Sequence, residues 1–211
     1  MTTDISDRLG ACYTGVLHDV MRSAGLRDFT LPPELRPLFP ERSMAGPAFT
    51  IEGKAVPGSD AHDTLLAWTG LLSKAPPGTI WVSQPNDHVV AHMGELSAET
   101  LKSKGLRGCV VDGLIRDVNF ILAIGFQVWS RGSTPRDIVG YWLPSATNAA
   151  IRIGDVDIAP GDYLVGVTAT GSSGRQSCSP KTSRQKPRPR WRRKVWCEGR
   201  FWAGRTLGTH I

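Results

Sequence analysis

Arg116 and Asp117 stand side by side at the end of the stretch RGCVVDGLIRD, residues 107–117. An arginine offers a planar fork matched to a carboxylate or phosphate. An aspartate offers a hard oxygen ligand for a divalent cation. Ahead of the pair, Cys109, Val110 and Val111 form a short β-branched apolar run, the pattern of a buried strand. Asp112-Gly113 then predicts a turn, so the charged pair falls where a helix over 117–124 should begin. The carboxyl end of a strand is where α/β folds place ligand sites. These residue types suit a metal-bound, anionic small molecule. The same pair would also serve as a plain ion pair at a helix start, where an acid is favoured by the backbone dipole.

The flanking sequence alternates helix and strand patterns. A 3.6-residue period through Ile5, Leu9, Leu17, Val20 and Met21 predicts one helix over 4–24, with Gly25 as its stop. A Pro-rich connection covers 31–47. Further segments read as strand 48–55, helix 61–73, strand 79–83, helix 95–104, strand 108–111 and strand 127–130. Short strands at 151–153, 156–158 and 163–165 are separated by turns at Gly154-Asp155 and Pro160-Gly161-Asp162. The order implies an α/β domain with a β-rich end.

Other candidates carry less. His88 and His92 have the i,i+4 spacing of a zinc pair on a helix, but no third ligand is near in sequence, and a surface or loop role is expected. Asp112 reads as a turn former close enough to assist the site. Arg131 and Arg136 read as surface arginines able to meet an anion. Asp155 and Asp162 read as turn residues. Cys12 and Cys109 lie in apolar segments and should be reduced core residues.

Length and composition imply one domain with a real core and no membrane span. The start MTTDISDRLG lacks the pattern of a secretory signal, so a cytoplasmic location is expected. The net charge of +6 is unevenly placed. Residues 167–211 hold eleven Lys and Arg against one acid, Glu198, which leaves 14 basic and 18 acidic residues in 1–166. After Gly166 no helix or strand period is legible, and Arg, Ser, Pro and Trp dominate. A disordered, basic, aromatic tail would suit nucleic acid. Out-of-frame translation explains it better. Residues 167–173, Val-Thr-Ala-Thr-Gly-Ser-Ser, permit Gly-Asp-Arg-Asp-Gly-Val-Val in the neighbouring frame. Residues 176–188 permit an amphipathic, helix-forming run there. The chain is therefore read as a domain over 1–166 and a frameshift-derived tail over 167–211, with no nucleic-acid partner.

GPAFT (46–50), PPGTIWV (76–82), MGELSAETLKSKGLRGCVVDGLIRD (93–117), GFQVWSRGSTPRD (125–137) and IAPGDYLVG (158–166) resemble the RraA-like family. That family includes 4-hydroxy-4-methyl-2-oxoglutarate / 4-carboxy-4-hydroxy-2-oxoadipate aldolases and regulators of ribonuclease E. The resemblance covers most of residues 10–166. It implies an α/β/β/α sandwich around a small central β-barrel, assembled as a homotrimer or a dimer of trimers. In the aldolases a Gly-acid-Leu loop lies 22 residues before the Arg-Asp pair, and Gly94-Glu95-Leu96-Ser97 stands at that spacing from Arg116.

The resemblance implies that backbone N–H groups of Gly94, Glu95, Leu96 and Ser97, with Arg116, hold the carboxylate of a 2-oxo acid. It implies that Asp117 binds Mg²⁺, or another divalent cation such as Mn²⁺, with waters completing the shell. Glu95 would orient a water as the acid/base, or serve only as a helix-start acid. The implied activity is C–C cleavage of 2-oxo dicarboxylic acids through a pyruvate enolate, by aldol cleavage or oxaloacetate decarboxylation. The alternatives are a non-catalytic regulator that binds ribonuclease E, or an inactive truncated homologue. Phe120 stands where the aldolase pattern carries an acid, and an out-of-frame tail would remove another acid expected from a neighbouring subunit. The identity of the substrate's side chain is not legible. The coding DNA across codon 166 tests the tail: an open alternative frame encoding the helix-forming run is expected, and one full of stops overturns the reading.

Overall fold

Helices and strands alternate along the computed structural model, which describes residues 4–166 and the backbone of one further strand at 194–197. The chain opens with α1 (Ile5–Gly10) and α2 (Thr14–Ser23), then β1 (Arg36–Pro37) and the long β2 (Met44–Ala55). There follow α3 (Ala61–Lys74), β3 (Ile80–Gln84), α4 (Glu95–Ser103), β4 (Gly108–Val111), β5 (Leu114–Ile115), α5 (Val118–Ile124) and β6 (Val128–Ser130). The β-rich end comprises β7 (Gly132–Ser133), β8 (Trp142–Thr147), β9 (Ile151–Ile153), β10 (Val156–Ile158) and β11 (Tyr163–Gly166), with β12 (Lys194–Cys197) parallel to β11. The other residues after Gly166, and with them most of the expected tail, lie outside the described residues.

One sheet runs in the order β1-β6-β4-β3-β2-β11-β12, with β8 also paired to β2. β2, β3, β4 and β6 are parallel neighbours, joined by α3, α4 and α5. Parallel strands of this kind are buried on both faces, which explains their unbroken apolar runs. Side chains alternate between two cores. Trp81, Cys109, Val111 and Val128 pack with Leu71, Leu101 and Ile121 on the helical side. Ile80, Val82, Val110 and Trp129 face the opposite way, onto Ile151, Ile153, Val156 and Ile158 of the β9–β10 hairpin. Each strand is thus clamped between a helical and a β layer, and the carboxyl ends of β3 and β4 are held in fixed register.

Two departures from the periodicity have local causes. The predicted helix 4–24 is two helices, because the chain breaks after Gly10 and restarts at Thr14. The break lets Leu9 pack on Ala45 and Val165 while Met21 packs on Phe29, two separate clusters that one straight helix would not reach. β8 is not legible as a strand, since Pro144 interrupts it. It tolerates the proline at the irregular pairing with β2, where the register shifts between Glu52 and Gly53. Trp142 of β8 lies against Gly53, and a Cβ there would overlap the indole. Gly53→Ala is therefore expected to destabilise the protein by about 2–3 kcal/mol through overpacking. Urea denaturation of the full chain measures this, and an unchanged midpoint would refute it.

Candidate functional site

The Arg116–Asp117 corner is built by a backbone ladder beyond the end of β4. Asp112 and Gly113 turn the chain, and β5 pairs parallel with β7. The loop before α4 runs alongside: Ala91 bridges Leu114, the His92 N–H donates to the Leu114 carbonyl at 2.8 Å, and the Arg116 N–H donates to the Met93 carbonyl at 2.9 Å. Residues 22 apart in sequence are thereby laid side by side.

Asp117 precedes α5 in a left-handed conformation, φ 57° and ψ 36°, and its side chain makes no capping bond to that helix. Aspartate tolerates this region better than most residues. The carboxylate turns instead toward the start of α4. Its Oδ2 accepts from the Glu95 N–H at 3.3 Å and lies 3.3 Å from Arg116 Nε. Gly94 makes room for this: a Cβ there would sit 2.9 Å from Asp117 Oδ2 and 3.1 Å from Arg116 Cγ. Arg116 NH1 also reaches Asp137 Oδ2 at 3.4 Å. A helix-start ion pair alone would have used Asp117 as a cap, and it does not.

These groups border a cleft of about 270 Å³. All six residues singled out in the sequence, Gly94, Glu95, Leu96, Ser97, Arg116 and Asp117, line it. Leu96 points out, 76% exposed, so its contribution to the cleft is main chain rather than side chain. The N–H groups of Leu96 and Ser97 belong to the first turn of α4 and have no acceptor within the helix. Ser97 Oγ accepts from Trp68 Nε1 at 2.9 Å, which ties α4 to α3. Phe120 is exposed on α5 and is not part of the lining.

Sequence reasoning missed the opposite wall, where α3 contributes Leu65, Trp68 and Leu72, and the segment after β7 contributes Asp137, Ile138 and Val139. A second Arg-Asp dipeptide, Arg136-Asp137, was the available signal for the acid. The α3 residues carried none, because they read as ordinary amphipathic helix.

His88 and His92 sit in a loop rather than on a helix, and they do not converge. His88 Nε2 lies 3.2 Å from the Asp112 carbonyl. His92 is buried, contrary to the surface or loop role expected, and its Nε2 meets Asp87 Oδ2 at 3.0 Å. Asp87 also accepts from the Val89 and Val90 N–H groups, each at 3.0 Å, and its Oδ1 lies 3.3 Å from the Tyr141 hydroxyl. Burial opposes ionisation of Asp87, but the Val90 and Val89 N–H groups and the His92 ring outweigh it and hold the carboxyl below its ordinary value. Burial lowers His92, and the Asp87 charge offsets this only in part. Asp112 accepts from Arg131 Nε at 2.7 Å, so both belong to a structural pair beside the corner. Asp155 is an exposed turn residue, while Asp162 is buried in its turn and accepts the Ala159 N–H at 2.8 Å. Cys109 is a free core thiol, pushed well above its usual value by burial. No described helix is long and apolar enough to cross a membrane.

A profile of the RraA-like family, Aldolase/RraA, matches residues 2–168. The chain belongs to the RraA-like family. The match ends within two residues of Gly166, where the composition changes. A relative from Halalkalibacterium halodurans, named "Putative 4-hydroxy-4-methyl-2-oxoglutarate aldolase", is 29% identical over 132 residues, which cover 63% of this chain and 60% of that protein. Among solved structures, the Streptomyces coelicolor protein RraAS2, described as an unusual member of the RNase ES inhibitor RraA family, aligns with a TM-score of 0.68 and 25% identity, covering 78% of this chain and 81% of its own. A protein from a study of novel cellulases of gut-associated microbes aligns with a TM-score of 0.72 and 28% identity, covering 79% and 77%. The mixed α/β content and these neighbours agree with the RraA-like fold.

The buried His92 makes the loop beside this RraA-like cleft sensitive to acid. An unfolded histidine takes up a proton as the pH falls through 6.5, whereas His92 resists until a lower pH. Stability is therefore level above 6.5 and declines below it, toward the lowered value of His92. Denaturation midpoints at about pH 7 and about pH 5 should differ more in the wild type than in His92→Gln. Equal differences would refute this.

Proposed function

We propose that this RraA-like chain is a divalent-metal-dependent lyase that cleaves a C–C bond of a 2-oxo acid and releases pyruvate. The observation that carries the reading is the orientation of Asp117: its carboxylate leaves its own helix uncapped and joins Arg116 at the start of α4. An anion-binding helix start, a guanidinium and a hard oxygen donor then border one cleft.

The residues fit a hydrated, hard cation. Among the described residues, no group of three or more His, Cys, Asp or Glu is placed to cage a metal. Mg²⁺ commonly needs only one or two carboxylates and keeps several waters. Asp117 would hold it, and the missing Cβ of Gly94 keeps the carboxylate uncrowded. When bound, Mg²⁺ or Mn²⁺ supplies Lewis-acid polarisation of the 2-oxo group. The chain's own groups do the rest. The Leu96 and Ser97 N–H groups and Arg116 bind and orient the 1-carboxylate. Arg116 also places positive charge beside the oxygen on which negative charge develops. Glu95, at the first position of α4, takes the proton released from the substrate. The finer sandwich-and-barrel fold and the trimer implied by the resemblance belong to the same proposal.

Pyruvate release from oxaloacetate and from 4-hydroxy-4-methyl-2-oxoglutarate tests the reading. Activity should require Mg²⁺ or Mn²⁺ and vanish with a chelator. Asp117→Ala should lower kcat at least about a hundredfold, the scale of losing one electrostatic stabiliser. Arg116→Lys should mainly raise KM, because a point charge does not replace the planar fork. No release by the wild type, or undiminished release by Asp117→Ala, removes the proposal. The likeness to the Streptomyces protein favours a second reading, a non-catalytic regulator that binds ribonuclease E. Co-purification of an inactive chain with an RNA-degrading complex would support it. A chain that does neither would be an inactive homologue.

A further inference from the structure

The lyase reading leaves open the half of the substrate beyond the 2-oxo group. We infer that the cleft selects a 4-hydroxy-2-oxo acid whose distal end is neutral and apolar rather than a second carboxylate. This inference rests on the lyase reading and narrows it.

The charges of the lining come first. Glu95, Asp117 and Asp137 are acids, and Arg116 is the one cationic side chain in the described lining. Arg116 is already shared, 3.3 Å from Asp117 and 3.4 Å from Asp137. The proposed function assigns it to the 1-carboxylate. A second carboxylate would therefore enter a site already rich in negative charge, with no cation of its own among the described lining residues. Like charges placed together disfavour binding strongly.

The hydrogen-bond donors point the same way. Thr69 Oγ1 donates to the Leu65 carbonyl at 2.9 Å, and Thr100 Oγ1 donates to the Leu96 carbonyl at 2.7 Å. The Val139 N–H donates to Asp137 Oδ1 at 3.1 Å. These polar groups face inward on their own elements. What the far wall offers to a substrate is the apolar surface of Leu65, Trp68, Leu72, Ile138 and Val139. A carboxylate against that wall would lose water without gaining a partner, whereas an alkyl group loses nothing by the same move.

The chemistry balances without a co-reactant. The 4-hydroxyl gives its proton to Glu95, and the C3–C4 bond breaks. Its electron pair moves toward the 2-oxo group, and C4 departs as a neutral ketone or aldehyde. C3 then takes up a proton, giving pyruvate, so the proton lost at oxygen is replaced at carbon.

The test compares two substrates that differ only at the distal group: 4-hydroxy-4-methyl-2-oxopentanoate, which yields acetone and pyruvate, and 4-hydroxy-4-methyl-2-oxoglutarate, which yields two pyruvates. The full chain is used with Mg²⁺ in whatever assembly it forms. The monocarboxylate is expected to have a kcat/KM at least about tenfold higher. Leu65→Lys places an ammonium on the half-exposed rim of the apolar wall, and it should move the ratio toward the dicarboxylate by at least about fivefold. Equal use of both substrates, or preference for the dicarboxylate, overturns the inference while leaving the lyase standing. That outcome would also reveal a cation supplied by a second copy. An unmoved ratio in Leu65→Lys overturns the assignment of the distal group to this wall. Pyruvate from neither substrate removes the inference and the lyase together.

Discussion

The site depends on a backbone ladder rather than on any side chain. His92 and Arg116 each donate an N–H across the gap between the loop before α4 and the segment after β4, and Ala91 bridges Leu114. These bonds bring the first turn of α4 against Arg116 and Asp117. The loop is held in turn by Asp87, whose carboxylate gathers the N–H groups of Val89 and Val90 and the ring of His92. A buried carboxylate with several donors is stable only while all are in place. The corner therefore inherits its rigidity from a polar network that touches none of the substrate positions.

The parallel sheet supplies the platform for that ladder. β3 and β4 are buried on both faces, by helices on one side and by the β9–β10 hairpin on the other. Their register is pinned because a one-residue slip would exchange the two cores. The carboxyl ends of both strands are consequently fixed, and the loops that leave them meet at one edge. Asp117 adopts its left-handed conformation at the point where the chain turns from β5 into α5. That local cost frees its carboxylate from capping duty.

Much of the fold was legible because its physics is local. The strand at Gly108–Val111, the strands at Ile151–Ile153 and Val156–Ile158, and the helix from Ala61 follow from apolar period and turn chemistry, and they appear with the expected bounds or within a residue of them. The break between α1 and α2 was not legible, since Leu9 and Met21 share one helical period yet serve different clusters. β8 was hidden by Pro144, and β5 and β7 are too short to carry a pattern. His92 looked like one half of an i,i+4 pair, and only its burial against Asp87 and Trp142 shows what it holds.

The sequence alone determined which residues have the chemistry: an arginine fork, an oxygen donor, a glycine-led helix start, and the 22-residue spacing between them. Residue types and turn signals are properties of a single segment, so they survive without coordinates. The tertiary structure decided what faces them. Asp137 and the apolar wall of α3 come from segments distant in sequence and are brought in by packing. Packing partners leave no periodic mark that distinguishes a site wall from an ordinary core face. The anchoring end of the cleft was therefore written in one stretch of chain, while the surface that would receive the rest of a ligand arose only when α3 folded across it.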